Sequence, residues 1–254
     1  MTRGGPVATL TLDRPERRNA LDPGLLGALA SAIDDVSDDD DVRVVVLTGA
    51  GSAFSAGADL EWMRASRDLP QSDNQAEAEA MQASFDTVDR CPKAVVARVN
   101  GPAIGGGAGL LACADVAVAV EGARFAFAEV RLGLLPATIG PFVIRAVGPG
   151  RARELFTTGR TFSAADAESY GLVHHVVTPD ALDASIEETV RSFLACGPEA
   201  VAANKRLVRD ATAALDLPDL PARIAEARAS DEGQEGIAAF LEKRAPRWLS
   251  SADS

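Results

Sequence analysis

Apolar and polar residues alternate near the start of the chain, and later runs are almost continuously apolar. Alternation predicts a strand with one buried face, and a β-branched apolar run predicts a strand that is buried on both faces. The predicted strands lie at residues 7–12, 42–47, 94–99 and 116–120. Helical patterns separate them, and strands that alternate with helices are typical of an α/β fold.

Helices are predicted between these strands and over most of the last third of the chain. The first begins after Asn19 or Asp22, since either side chain could cap it. A second is expected to begin at Asp59, and a short third helix ends near Cys113. Residues 66–78 are polar and irregular, and we predict that they form the most mobile segment. Further helices are predicted at residues 151–157, 163–169, 182–194, 198–215 and 221–241.

The composition is that of a globular protein with an acidic surface. The 254 residues include 37 Asp and Glu against 25 Lys and Arg, a net charge of −12. This length is sufficient for one domain with a sizeable core, and the acidic balance argues against nucleic acid or an anionic membrane as a partner. No basic-then-apolar leader is present, and the longest apolar stretch, 102–114, is too short to span a bilayer. We therefore expect a cytoplasmic protein.

Side chains of the usual catalytic types are scarce. The chain has two His, one Tyr and three Cys without paired spacing. The phosphate loop, the dinucleotide-binding fingerprint and the nucleophile elbow are all absent. His174 and His175 lie in a predicted short strand, 172–177, where neighbours face opposite ways and cannot share one metal ion. Any chemistry is therefore expected to use carboxylates and backbone groups, without a metal.

Two glycine-bearing loops, residues 54–60 and 101–109, each follow a predicted buried strand and precede a helix. Backbone N–H groups at a helix start are unpaired and point outward, and small residues let a ligand approach them. Two such groups could converge on one carbonyl oxygen and stabilise an oxyanion. The same pattern also fits tight turns with close helix contacts, so both interpretations stay open at this point.

Five segments of the chain carry motifs of one family. They are residues 14–21, 54–60, 100–115, 125–136 and 240–246. In this order they resemble the crotonase family, the enoyl-CoA hydratase/isomerase superfamily, over nearly the whole chain. The resemblance implies an α/β spiral of repeated ββα units over residues 1–195. It also implies a helical C-terminal region, residues 196–254, used in trimerisation and often in a dimer of trimers.

The resemblance assigns a catalytic site to two amides and one carboxylate. In the family, two backbone N–H groups grip the thioester carbonyl of an acyl-CoA, and the matching residues are Ala58 and Gly106. Family hydratases use two glutamates as the acid/base pair. Glu129 matches one of them, and its apolar neighbours favour a raised pKa. The matching position of the other glutamate is Gly109, which has no side chain.

This departure at Gly109 bears directly on the reaction. Hydration deprotonates a water and protonates the α-carbon, which is easiest with two carboxylates, whereas a double-bond shift needs one base that carries a proton between carbons. However, residues 129–137 and 61–63 also resemble members classed as hydratases. We therefore predict an enoyl-CoA hydratase. A Δ3,Δ2-enoyl-CoA isomerase and a non-catalytic acyl-CoA-binding protein are the alternatives.

The resemblance also implies residues that hold coenzyme A, which is part of the substrate, so no separate cofactor is expected. Arg17 and Arg18 match family contacts to CoA, and Lys243 matches a lysine that reaches a CoA phosphate. Phe240 matches a residue that packs on adenine, usually from a neighbouring subunit. The other implied contacts are Ala20, Ala56, Asp59, Leu60, Gly105 and Gly109.

The residues that follow Leu60 depart from the family pattern or have two possible roles. Glu61 stands where some family members have a lysine, which puts that phosphate contact in doubt. Trp62 and Met63 follow on the same predicted helix. They could form a wall of the acyl pocket, or they could belong to the core.

Overall fold

The computed structural model describes residues 1–66, 69–213 and 230–250. The strands are β1 (Thr2–Gly4), β2 (Val7–Leu12), β3 (Val44–Gly49), β4 (Ala94–Val99), β5 (Ala103–Ile104), β6 (Val116–Val120), β7 (Arg124–Ala126), β8 (Phe162–Ser163) and β9 (His175–Val177). The helices are α1 (Pro23–Ser37), α2 (Leu60–Ser66), α3 (Gln71–Arg90), α4 (Gly106–Cys113), α5 (Gly140–Thr158), α6 (Ala164–Ser169), α7 (Leu182–Leu194), α8 (Pro198–Ala213), α9 (Asp231–Glu242) and α10 (Arg247–Ser250). Short 3₁₀ turns lie at Pro15–Arg17, Glu129–Leu132 and Pro179–Ala181.

The strands form two sheets. The larger sheet has the order β1-β2-β3-β4-β6-β9, with β1 antiparallel to β2 and every following pair parallel. The smaller sheet has the order β5-β7-β8, and only its β7–β8 pair is antiparallel. The chain passes from the larger sheet to the smaller one and then into a helix, as in β4–β5–α4 and β6–β7–α5. The predicted α/β class and the spiral of ββα units are therefore confirmed.

The parallel strands of the larger sheet place their loops side by side. β3 and β4 pair in register from Val44 opposite Ala94 to Thr48 opposite Arg98. Every residue of β3 is buried, since the strand lies inside the sheet with α1 and α3 packed together nearby and α7 against it. β2, β4 and β6 have their predicted bounds, whereas β3 begins two residues later than predicted. The loops after β3 and β4 both leave the carboxyl edge of the sheet.

The helix starts show how local chemistry sets the boundaries. Asp22, not Asn19, caps α1, because its side chain accepts a hydrogen bond of 2.7 Å from Leu25 N. Ser163 and Asp166 form a reciprocal capping box at the start of α6. Helix α5 is longer than predicted and contains a kink, since Gly148 has φ 76° and ψ 158° inside it.

The prediction that residues 66–78 are irregular is wrong over most of its length. Residues 71–78 are not irregular, because they form the first half of α3. The sequence pattern is misleading here, since this half of the helix is exposed and polar while Phe85 and Val88 in its second half are buried. Packing of that second half anchors the whole helix. Residues 67 and 68 lie outside the described residues.

The C-terminal region is tied to the amino edge of the larger sheet. Arg43 directly precedes β3, and its guanidinium donates to the carbonyl oxygens of Cys196 and Trp248. Glu232 accepts hydrogen bonds from Glu199 N and Ala200 N and so caps α8. The helices predicted at 198–215 and 221–241 are described only over 198–213 and from 231 onward.

The boundary predicted between residues 195 and 196 stays a prediction.

None of the described helices combines the length and the apolar composition that a membrane crossing requires.

Candidate active site

The two glycine-bearing loops lie against each other at the carboxyl edge of the larger sheet. Phe54 N and Ser55 N both donate to Pro102 O at 3.1 Å, and Ile104 N donates to Ser55 O at 3.0 Å. Ser55 also forms an isolated parallel bridge with Ala103. The first loop therefore continues the smaller sheet beside β5, which fixes its position relative to the start of α4.

Two glycines permit this close approach. A Cβ on Gly107 would lie 2.7 Å from Ser55 Cβ and 2.9 Å from Ser55 O. Gly57 has φ +88°, and a Cβ on it would lie 2.9 Å from Ile104 O. Backbone cannot yield as a flexible side chain can, so larger residues would push the loops apart.

Ala58 and Gly106 both lie next to Leu21. Leu21 N donates to Gly57 O at 2.7 Å, and Asp59 N donates to Leu21 O at 2.8 Å, so Leu21 pairs alongside Ala58. A Cβ on Gly106 would lie 2.9 Å from Leu21 Cδ1. Ala58 N has no hydrogen-bond acceptor in the described part of the chain. Gly106 is the first residue of α4, where an N–H has no partner within the helix.

Glu129 lies beside the same helix start. It begins a 3₁₀ turn after β7, and its Oε1 is 3.0 Å from the position that a Cβ on Gly105 would take. Oε2 is buried and accepts no hydrogen bond from any described residue. Burial raises the pKa of the Glu129 carboxyl above its ordinary value, and only a hydrogen bond from its own backbone opposes this. The half-burial of Glu129 in this turn agrees in direction with the raised pKa expected from its apolar neighbours.

The side of α4 at Gly109 is filled by an apolar side chain. A Cβ on Gly109 would overlap Ile139 Cγ2 and would lie 2.8 Å from Ile139 Cβ. Ile139 is 2% exposed and directly precedes α5. Among the described residues, no second carboxylate is recorded at this position.

A cluster of ion pairs around the buried Asp59 supports the first loop. Asp59 Oδ2 accepts from Arg14 at 2.9 Å and from Arg17 at 3.1 Å, and Arg17 also pairs with Glu61 at 2.8 Å. Burial alone would raise the pKa of Asp59, but hydrogen bonds from the backbone of Glu61 and Trp62 and from both arginines lower it to about 2. The same carboxylates raise the pKa of Arg17. Asp59 therefore stays ionised, orders the start of α2, and holds Arg17.

Asn19 is a positioning residue, although the sequence pattern indicated only a possible helix cap at this position. It is fully buried with φ 56°, and Arg18 before it has φ 51°. Its Nδ2 donates to Ala50 O and Ala53 O, and its main-chain oxygen accepts from Ser55 Oγ. Arg18 O accepts from Ala56 N at 2.9 Å. The available signal was an asparagine just after an Arg-Pro turn, since asparagine tolerates the left-handed region.

The predicted CoA contacts near the first loop differ in their exposure to solvent. Arg18 and Leu60 are exposed beside the first loop, while Ala20 is buried beneath it. Trp62 and Met63 are half-buried, so neither belongs to the core, and the Trp62 indole donates to Glu77 of α3.

Lys243 lies elsewhere. It directly precedes Arg244, which pairs with Glu235, and α10 follows at the amino edge of the sheet. No described contact joins Lys243 to the loops at the opposite edge. Phe240 lies in α9, and its side chain is outside the described residues.

Two other features with titratable side chains lie away from this edge of the sheet. His174 and His175 are both exposed overall. His174 Nδ1 accepts from Ala117 N at 3.0 Å, and partial desolvation of its ring lowers the pKa of His174. A cavity of about 710 Å³ lies beneath α8 and is lined by Cys113, His174 and Lys205 among others, without Glu129. These features are separate from the site at the carboxyl edge.

The comparison with known families decides which family the chain belongs to. The family described as enoyl-CoA hydratase/isomerase matches residues 2–251. The chain belongs to the enoyl-CoA hydratase/isomerase family. The predicted membership and the prediction that the chain is an enzyme are thus confirmed.

Relatives of this family member cover nearly its whole length. It is 38% identical over 253 residues to a putative enoyl-CoA hydratase of Thermus thermophilus, which covers 96% of this chain and 98% of that protein. It is 34% identical over 258 residues to a carnitinyl-CoA dehydratase of Salmonella typhi, with coverage of 98% and 97%. The crystal structure of an enoyl-CoA hydratase from Shewanella pealeana matches with a TM-score of 0.93 at 36% identity, over 97% and 94% of the two chains. The predicted crotonase fold is confirmed.

Proposed function

We propose that the protein is an enoyl-CoA hydratase that adds water across the 2,3 double bond of an enoyl-CoA thioester. One observation carries this proposal: the half-buried Glu129 has a buried Oε2 without a hydrogen-bond partner among the described residues, beside the N-terminal turn of α4. The names of the relatives support the reaction class. The geometry supports Glu129 as the acid/base, with Ala58 and Gly106 as the oxyanion donors.

The amides would stabilise the charge that builds up on the thioester oxygen. Attack at C3 turns the thioester into an enolate, whose oxygen needs donors that are already in place. The loop contacts of Ser55 with Pro102 and Ile104 supply that rigidity without any titratable group. The N-terminus of α4 adds a favourable partial charge.

One carboxylate can balance the protons of the reaction. Ionised Glu129 takes a proton from water, and the hydroxide oxygen forms a bond to C3 of the substrate. The electron pair of the double bond moves to C2 and the thioester oxygen. Protonated Glu129 then gives its proton to C2, which yields a 3-hydroxyacyl-CoA and restores the starting carboxylate. The raised pKa of Glu129 suits both halves of this cycle.

The CoA part of the substrate would meet a small set of cations. Arg18 is exposed beside the first loop, and Arg17 is half-exposed although it is held by Asp59 and Glu61. Lys243 sits at the opposite sheet edge, so we infer that it reaches CoA from a neighbouring subunit. The predicted homotrimer or dimer of trimers would bring such a subunit close, and the proposed reaction uses no metal or separate cofactor.

One specific observation favours a second candidate function. Ile139 fills the space beside Gly109, so the described site contains one carboxylate. A Δ3,Δ2-enoyl-CoA isomerase needs one base, which removes a proton from C2 and returns it to C4 while the double bond moves. Hydration is preferred here because the relatives bear hydratase names.

Purified protein should be offered crotonyl-CoA and 3-hexenoyl-CoA in separate assays. Loss of the conjugated enoyl absorbance with crotonyl-CoA is expected for hydration. Appearance of that absorbance from 3-hexenoyl-CoA without loss from crotonyl-CoA would establish the isomerase instead. Binding of both esters without turnover of either would leave the acyl-CoA-binding function.

A further inference from the structure

The start of α4 has two neighbours that differ in chemistry. Gly109 N donates to Gly105 O at 3.0 Å, so the two glycines are one helical turn apart, about 6 Å along the axis. The Glu129 carboxylate lies against Gly105, and the Ile139 side chain lies against Gly109. The site therefore places an acid and an aliphatic group on successive turns of one helix.

Ile139 is held firmly in this place. Its main-chain oxygen accepts from Val143 N at 3.1 Å, and the next residue, Gly140, donates to Pro136 O at 2.7 Å. The side chain is 2% exposed and belongs to the main core cluster. Because both backbone and side chain are fixed, Ile139 cannot withdraw to admit a larger residue at position 109.

The charged groups on the surrounding elements are engaged elsewhere. On α5, Arg145 pairs with Asp89, and Glu154 pairs with Arg151 and Arg160. Arg131, on the same turn as Glu129, packs at Gly159. None of these groups contributes to the pKa of Glu129, which burial controls.

We propose that Ile139 is a specificity-determining residue that occupies the space of a second acid on α4 and leaves Glu129 as the single proton carrier. This inference rests on the proposed acyl-CoA chemistry. With one carboxylate, the same proton leaves water and arrives at C2. With two, the second carboxylate would take the proton from water while Glu129 gives its own to C2, and solvent would reset both. A second acid would therefore favour hydration over isomerisation.

The steric part is tested by a double-mutant cycle that needs no activity. Gly109→Ala, Ile139→Ala and the combined variant are compared with wild type by thermal unfolding at one protein concentration. Ile139→Ala removes Cγ2 and Cδ1 and leaves only Cβ, 2.8 Å from the added Cβ, so the overlap is relieved in part. The combined Tm loss should therefore be smaller than the sum of the single losses by ~2–4 °C. Additive losses would overturn the proposal.

The chemical part uses Gly109→Glu alone and with Ile139→Ala. The single variant should fail to fold or lose turnover, and the combined variant should fold. Its ratio of crotonyl-CoA hydration to 3-hexenoyl-CoA isomerisation should rise by about 10-fold or more over wild type. Gly122→Glu, at an open surface position, is the control for an added carboxylate and should leave the ratio unchanged.

The outcomes separate this inference from the proposed function. An unchanged ratio in a folded combined variant, or a combined variant that does not fold, would overturn the role of Ile139. Wild type that turns over neither substrate would overturn the proposed function, while the Gly109→Ala cycle would still decide the packing claim.

Discussion

Substitution of Asn19 by alanine tests how the first loop is held. Asn19 Oδ1 accepts from Arg14 N at 2.9 Å, and Nδ2 donates to Ala50 O at 2.8 Å and to Ala53 O at 2.9 Å. Asn19→Ala removes all three hydrogen bonds, so Arg14 N, Ala50 O and Ala53 O each lose the bond to Asn19. A buried group left unpaired costs about 1–3 kcal/mol, and alanine in the left-handed region costs about 1 kcal/mol more than asparagine.

Since the loop can rearrange in part, we expect a total loss of about 4 kcal/mol. For a chain of this size that corresponds to a Tm drop of roughly 8–16 °C. Guanidinium denaturation at a fixed protein concentration measures the loss directly. Activity should fall with it, because Asn19 positions the segment that leads to Ala58.

Two variants serve as controls. Asn19→Gly loses the same hydrogen bonds but accepts the positive φ, so it should be more stable than Asn19→Ala by about 1 kcal/mol. Asn74→Ala removes an exposed bond to Leu69 O and should change stability by less than about 0.5 kcal/mol. If Asn19→Ala were as stable as Asn74→Ala, the reasoning about the loop would be refuted.

Three other perturbations have defined outcomes. Gly107→Ala should push Ser55 away and lower kcat/KM by at least about 10-fold. The control Gly27→Ala lies in open space on α1, so it should stabilise the protein by about 0.5–1 kcal/mol and keep activity. Equal kcat/KM for the two variants would contradict the close packing of the loops. Burial raises the folded pKa of Glu129 above 4.5, so wild type should lose stability as the pH rises from 4.5 through the folded pKa. Glu129→Gln cannot ionise and should not show this loss. If the difference in unfolding free energy between the two proteins were the same at pH 4 and pH 8, burial of the carboxylate would be contradicted. Glu61→Gln frees Arg17 from one carboxylate and should tighten binding of a CoA ester by about 2–5-fold at low salt. Weaker binding of the CoA ester by this variant, measured by calorimetry, would argue against a contact between Arg17 and CoA.

Much of the fold could be predicted from local patterns. The β2, β4 and β6 runs are bounded by turn residues, so their ends follow from the sequence alone. Helix α7 has its predicted bounds for the same reason. The exposed first half of α3 could not be predicted in this way, because it is held by packing of Phe85 and Val88 further along the helix.

The site was predictable in type and less so in detail. Glu129 and the two glycine-bearing loops follow from their motifs. Three features depend on contacts between distant segments: the left-handed Asn19, the Arg17–Asp59–Glu61 cluster, and Ile139 beside Gly109. The segment 136–139 contains no titratable side chain, so no sequence pattern pointed to it.

The most direct test of the central claim is the turnover of Glu129→Gln with crotonyl-CoA. Glutamine has nearly the same shape but cannot exchange a proton at this position. We expect kcat to fall by about 10²–10⁴-fold while the Kd for a CoA ester stays within about 2-fold of wild type. A variant that retains wild-type kcat would contradict the assignment of Glu129 as the single proton carrier.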